Sequence, residues 1–216
     1  MSKLVLFQGD SITDANRNRE MERYMGHGYA LMAAGVLGAE YPGEYTFLNR
    51  GVSGNRSVDL YARIKQDIIN LKPDYLSILI GVNDVWHEYT RKNGVSADKY
   101  ELICSLLIEE IKQALPDIKI MILEPFVLQG SKTSTTDEFP GRWEHFSTEV
   151  PLRAQAAKRI AEKYGLVFVP LQETFNHAQE LECAEEYWLA DGVHPTAAGH
   201  ELIKRAWLKG FEKLCE

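Results

Sequence analysis

Three residue types that together make a base-assisted nucleophile stand at opposite ends of this chain. Gly9-Asp10-Ser11 follows an apolar run near the N-terminus, and Asp191-Gly192-Val193-His194-Pro195 lies near the C-terminus. A serine hydroxyl is a weak nucleophile until a neighbouring base takes its proton. An imidazole serves as that base when a carboxylate fixes its tautomer and stabilises the imidazolium. Two intervening segments, Gly51-Val52-Ser53-Gly54-Asn55 and Gly81-Val82-Asn83-Asp84, offer backbone N–H groups and a side-chain amide. Those are the donors that an acyl-transfer oxyanion requires.

Each segment also has a plainer reading. Gly-Asp-Ser fits a turn followed by a serine helix cap, and Asp191 and Thr196 fit capping roles before a helix. Gly54, Asn83 and Asp84 fit ordinary turn and cap chemistry. The spacing of the last segment is more specific. A carboxylate three residues before a histidine in a turn can reach its Nδ1–H. Pro195 biases His194 away from helical dihedrals and suits the first position of a following helix. If Asp191 is not the orienting carboxylate, Asp10 is the other candidate.

The elements needed to bring these pieces together are legible as alternating patterns. Leu4–Phe7, Phe47–Leu48, Leu76–Ile80, Ile118–Leu123 and Leu166–Val169 are short apolar runs and read as buried parallel strands. Residues 99–114 show helical spacing, with Leu102, Leu106, Ile108 and Ile111 near one face. Residues 151–164 repeat the pattern, and Gly165 supplies a C-terminal stop. A last helix is expected from Pro195 through Phe211. Alternation of this kind implies a parallel sheet covered on both faces. In such a sheet, ligands bind beyond the carboxyl ends of the strands. Ser11, Gly54 and Asn83 all follow strands, and His194 precedes the last helix, so all four are expected on one rim. Residues 124–148 break the rhythm and read either as a functional loop or as a surface excursion.

With 216 residues, the chain fits one domain spanning 1–216, and its apolar and charged fractions are ordinary. A net charge of −7 argues against nucleic acid or an anionic membrane surface as partner. Cys104, Cys183 and Cys215 are odd in number, far apart and without metal-ligand spacing, which favours a reducing compartment. Cys104 sits at an apolar helical position and reads as a core residue. The apolar start Leu4–Phe7 is too short for a secretory signal, and no run approaches membrane-span length, so a cytoplasmic location is expected. His27, His87, His145, His177 and His200 show no metal-like clustering and read as surface or structural, with His87 nearest the cleft because it follows Trp86.

These segments resemble the blocks of the SGNH hydrolases, also called the GDSL esterase/lipase family. Gly9-Asp10-Ser11, Gly54, Asn83 and the Asp191…His194 pair match the four blocks in order, over nearly the whole chain. Position 8 is Gln where an apolar or small residue is expected, and Thr13 rules out the Gly-x-Ser-x-Gly turn of α/β-hydrolases. The resemblance implies a flavodoxin-like three-layer α/β/α sandwich with a five-stranded parallel sheet. It implies Ser11, Asp191 and His194 as catalytic residues, Ser11, Gly54 and Asn83 as the oxyanion hole, and neither metal nor cofactor. The stretches Gly9–Asp14, Asn49–Asn55 and Gly81–Trp86 look most like the bacterial acetylxylan esterase and carbohydrate deacetylase group. On that resemblance the partner is a small acylated carbohydrate, and Asp10, Arg50, Asn55, Trp86 and Trp188 are candidate substrate contacts, with Trp143 a further aromatic candidate. The competing reading is a lysophospholipase or acyl-thioesterase on the same fold. The aromatic stretch 126–146 is a candidate lid or homo-oligomer contact.

Overall fold

The five apolar runs become five parallel strands: β1 (Lys3–Gly9), β2 (Tyr45–Asn49), β3 (Tyr75–Leu79), β4 (Lys119–Leu123) and β5 (Val167–Val169), in the order β2-β1-β3-β4-β5. The structure, a computed structural model, describes residues 2–182 and 184–216, so Cys183 lies outside the described residues. Ten α-helices are described: α1 (Ser11–Asp14), α2 (Tyr29–Glu40), α3 (Ser57–Ala62), α4 (Ile64–Asp67), α5 (Val82–Arg91), α6 (Ala97–Ala114), α7 (Arg142–Tyr164), α8 (Gln172–Leu181), α9 (Glu185–Trp188) and α10 (Ala197–Cys215).

Side chains alternate across the central strands, and this builds a core on each face of the sheet. Val5, Phe7, Tyr75, Leu79, Met121 and Leu123 join one core with Tyr29 of α2 and Trp207 and Phe211 of α10. Leu6, Leu76, Ile78, Ile120 and Ile122 join the other with Ile108 and Ile111 of α6 and Ile160 of α7. This is the expected three-layer sandwich. One packing contact bears directly on function. The Phe7 ring stacks on Trp207 at 4.8 Å, and Trp207 stacks on Phe211 at 5.0 Å. Phe7 lies four residues before Ser11, and α10 begins just after His194. The stack therefore sets the distance between the two ends of the chain.

Three expectations need correction. In α6 the apolar face is rotated: Cys104, Leu107, Ile108 and Ile111 are buried, whereas Leu102 and Leu106 are 60% and 42% exposed. α7 starts at Arg142, not near residue 151, and Pro151 lies inside it. Proline in a helix interior costs about 3 kcal/mol. Phe146 and Val150 are fully buried within the two turns before Pro151. At about 1.5–3 kcal/mol for each large apolar side chain, their burial offsets that cost. Finally, Pro195 does not open α10. Thr196 is its N-cap, its hydroxyl accepting from Gly199 N at 3.3 Å, and Pro195 forms a bridge with Leu189 ahead of the cap.

Candidate active site

β1 is central, and the strand order reverses direction between it and β3. A crevice opens at such a reversal beyond the carboxyl ends of the strands. Ser11 follows β1 at the start of α1, where Asp10 caps the helix by accepting Ile12 N at 3.0 Å. A Cβ on Gly9 would collide with Leu79 O and the Thr13 side chain, so only glycine lets the end of β1 run this close to β3.

Ser11 Oγ lies 2.9 Å from His194 Nε2, and His194 Nδ1 lies 2.7 Å from Asp191 Oδ2. Asp191 Oδ1 accepts the backbone N–H groups of Val193 at 3.0 Å and His194 at 2.9 Å. The Asp191–His194 turn thus holds its own carboxylate rigid. Partial burial disfavours charge on Asp191, but the hydrogen bonds from the His194 ring and backbone outweigh it and hold the carboxyl below its usual range. The Asp191 hydrogen bond in turn raises the His194 pKa, against partial burial. Asp10 is not the orienter. It is buried under the site, and burial pushes its pKa up to about 7.

Donors converge on Ser11 from two other strands. Ser11 N and Gly54 N have no hydrogen-bond partner among the described residues. Gly54 has φ +81°, a conformation that strains other residues, and its N–H belongs to the turn after β2. Asn83 Nδ2 donates one hydrogen to Asn55 O at 3.2 Å, which leaves its second N–H for the cleft. Ser11, Gly54 and Asn83 line the same cleft with His194, as expected on one rim.

Of the side chains that support these groups, Asp84 carries a sequence signal of its own, as a turn or cap residue. Asp14 Oδ2 accepts Ser53 N at 3.0 Å and pairs with Arg19 at 2.7 Å. Asn49 Nδ2 donates to Thr13 O at 2.6 Å and to Met25 O at 2.8 Å, while its Oδ1 accepts Gly51 N at 2.9 Å. Arg63 reaches Asn55 Oδ1 and Arg50 O, both at 2.8 Å, and Gly9 O at 3.2 Å. These three side chains tie the Gly54 turn to the end of β1. Asp84 is buried beside Asn83 and accepts both Ser57 N and Ser57 Oγ, bracing α5 against α3. Burial pushes its pKa up to about 7. The segment after β4 has a comparable task. Leu128 N donates to Gly192 O and Lys132 N to Asp191 O, both at 2.9 Å, so this segment grips the Asp191–His194 turn.

Two clefts open on Ser11. One, of about 240 Å³, is lined by Asn83, Trp86, His87, Thr90 and Arg91 as well as Gly54. The other, of about 310 Å³, is lined by Asn16, His27, Ser53, Pro195 and His200. Of the candidate substrate contacts, only Trp86 faces either cleft, with its ring 5.9 Å from the His194 ring. The others line neither cleft, and each has partners of its own. Asp10 is buried as a helix cap. Arg50 pairs with Glu22. Asn55 serves Arg63 and Asn83 through its side-chain and backbone oxygens. The Trp188 indole donates to Glu182 O at 3.0 Å and packs on Tyr187. Trp143 lines a separate cavity with Gln129 and Asn176. His87 is at the cleft as expected, whereas His27 and His200, read as surface or structural, are cleft residues as well.

The sequence model of the GDSL-like lipase/acylhydrolase family matches residues 7–202, a span that includes every residue of this site. The chain belongs to the GDSL-like lipase/acylhydrolase family. It is 36% identical to an acetylxylan esterase of Geobacillus stearothermophilus, with 96% of this chain and 94% of the relative covered. The crystal structure of an acetylxylan esterase from the same organism superposes with a TM-score of 0.82 at 34% identity, covering 96% of this chain and 93% of that one. A candidate GDSL-like lipase from Parabacteroides merdae superposes with a TM-score of 0.88 at 33% identity, covering 98% and 97%. This family member is a carboxylic ester hydrolase. No helix among its described residues is long and apolar enough to cross a membrane.

Proposed function

We propose that the protein is a serine esterase that removes acetyl groups from sugars, xylo-oligosaccharides foremost, through an acetyl-enzyme on Ser11. The observation that carries this reading is the unbroken line from Ser11 Oγ through both His194 ring nitrogens to Asp191, at 2.9 and 2.7 Å. In the first half-reaction Ser11 Oγ attacks the ester carbonyl carbon and His194 Nε2 takes the hydroxyl proton. The carbonyl oxygen gains charge among Ser11 N–H, Gly54 N–H and the free Asn83 N–H. His194 then returns the proton to the sugar oxygen as the C–O bond breaks. In the second half-reaction water attacks the acetyl carbon, gives a proton to His194, and acetate leaves as Ser11 Oγ is reprotonated.

The substrate class draws on the acetylxylan esterase relatives and on the crevice itself. Trp86 offers an apolar face beside the acyl site, suited to the C–H face of a sugar ring. The proposed setting is the cytoplasm, in keeping with Cys104 and Cys215 as free thiols. Acetate release from acetylated xylo-oligosaccharides, other acetylated sugars, and acetyl versus octanoyl esters tests the reading. Acetyl sugars are expected to have the highest kcat/KM. Preference for octanoyl esters would overturn it in favour of a lysophospholipase or thioesterase.

Asn83→Ala tests the oxyanion assignment. Removing one such donor typically costs a factor of about 10²–10³ in kcat. Steady-state kinetics on phenyl acetate should show that loss in kcat with little change in KM. A loss confined to KM would place Asn83 in substrate binding instead.

A further inference from the structure

His200 sits on α10, six residues after His194, and is 4% exposed. Its Nδ1 accepts the N–H of Tyr29 at 3.2 Å, and its ring lies nearly parallel to the Tyr29 ring. That hydrogen bond leaves no proton on Nδ1. Burial, reinforced by His27 and His194, pushes the ring's pKa down to about 4, so it stays neutral at ordinary pH. The proton of a neutral ring with Nδ1 as acceptor resides on Nε2. Nε2 has no hydrogen-bond partner among the described residues, and the ring lines the cleft that also contains Ser11 and His194.

This N–H opens on the cleft and is a donor available to whatever the cleft holds. The surrounding wall carries an amide (Asn16), a hydroxyl (Ser53) and the exposed imidazole of His27. Its carboxylate, Asp14, is already engaged by Arg19 and Ser53 N. Beside the apolar Ile12, Ala15 and Pro195, these polar groups suit a neutral ligand that carries both hydroxyl groups and C–H faces. This surface lies in a different cleft from Trp86, so a chain of sugars crossing Ser11 can occupy both.

We propose that the cleft formed by Asn16, His27, Ser53 and His200 is a subsite for the sugar unit flanking the acetylated one, with the His200 Nε2–H donating to one of its oxygens. The inference rests on the sugar esterase reading above. His200→Asn tests it, because the asparagine Oδ1 occupies the place of Nδ1 and keeps the bond from Tyr29 N, whereas the Nε2–H is lost. The wild type is expected to favour acetylated xylobiose over acetylated xylose in kcat/KM. H200N should lower that ratio about tenfold, through KM for the disaccharide. As a second readout, the His200 Nε2 resonance in a long-range 15N–1H spectrum should have the protonated-nitrogen shift from pH 5 to 8 and move when xylobiose is added. A wild type without disaccharide preference, or H200N with the ratio intact, overturns the subsite while leaving the esterase reading in place. Equal losses on both substrates would reduce His200 to a structural anchor and also overturn it. A wild type that cleaves phenyl acetate but no sugar acetate defeats the substrate reading and the subsite with it.

Discussion

Ser11→Ala is expected to reduce kcat towards p-nitrophenyl acetate by about 10⁶, the loss seen when the serine of a protease triad is removed. The size of the effect follows from the arrangement. His194 Nε2 has one hydrogen-bond partner among the described residues, Ser11 Oγ at 2.9 Å. The N–H groups of Ser11 and Gly54 have no hydrogen-bond partner among the described residues, and both residues line the same cleft. Alanine keeps the backbone donor and removes only the atom that forms the acyl bond, so the residual rate measures the oxyanion donors and substrate binding alone. The side chain is small and partly exposed, so far-ultraviolet circular dichroism and thermal unfolding should match wild type. A fluorophosphonate should add its mass to the wild-type peptide containing Ser11 and not to the variant. Near-normal turnover, or labelling elsewhere in the chain, would remove Ser11 from the mechanism.

The residues that touch the reacting atoms were legible because their chemistry restricts them to few types and the fold places them at strand ends. Ser11, Gly54 and Asn83 each follow a strand, and the parallel order brings those ends together. The residues that hold them were not legible. Asn49, Asp14 and Arg63 act on backbone groups far along the chain, and a contact such as Arg63 to Gly9 O leaves no local pattern. His200 failed for a related reason. A single histidine on an amphipathic helix carries no sign that its Nδ1 is taken by Tyr29, a residue 171 positions away. The buried face of α6 is not fixed by its own sequence, because leucines occupy both sides of that helix and which side is buried depends on how α7 packs against it. The start of α7 was hidden by Pro151, whose cost is visible in sequence while the burial of Phe146 and Val150 is not.

Asp191→Asn is expected to lower kcat by about 10⁴, the cost of the same change in a serine protease, with the fold intact. An asparagine side chain can still fill the turn, but its amide either turns an N–H towards His194 or offers a weaker neutral acceptor. In the first case Nδ1 becomes the acceptor, the proton moves to Nε2, and the ring can no longer take the Ser11 proton. The pH profile adds a second, independent signature. His194 must be neutral to act as a base, so activity is present above its pKa and is lost as pH falls through it. In the wild type the hydrogen bond from Asp191 raises that pKa above the ordinary histidine value of 6.5, with burial opposing. Removing the carboxylate removes the largest raising influence and leaves the burial, so the acid limb of kcat/KM should move to lower pH. Asp10, the other carboxylate whose charge raises His194, has the smaller influence, and burial pushes its own pKa up to about 7, so Asp10→Asn should displace the limb much less. An unchanged rate in D191N would reassign the orienting role. A large loss of rate with an unmoved limb would mean that Asp191 shapes the turn through the Val193 and His194 N–H groups without setting the charge on the ring.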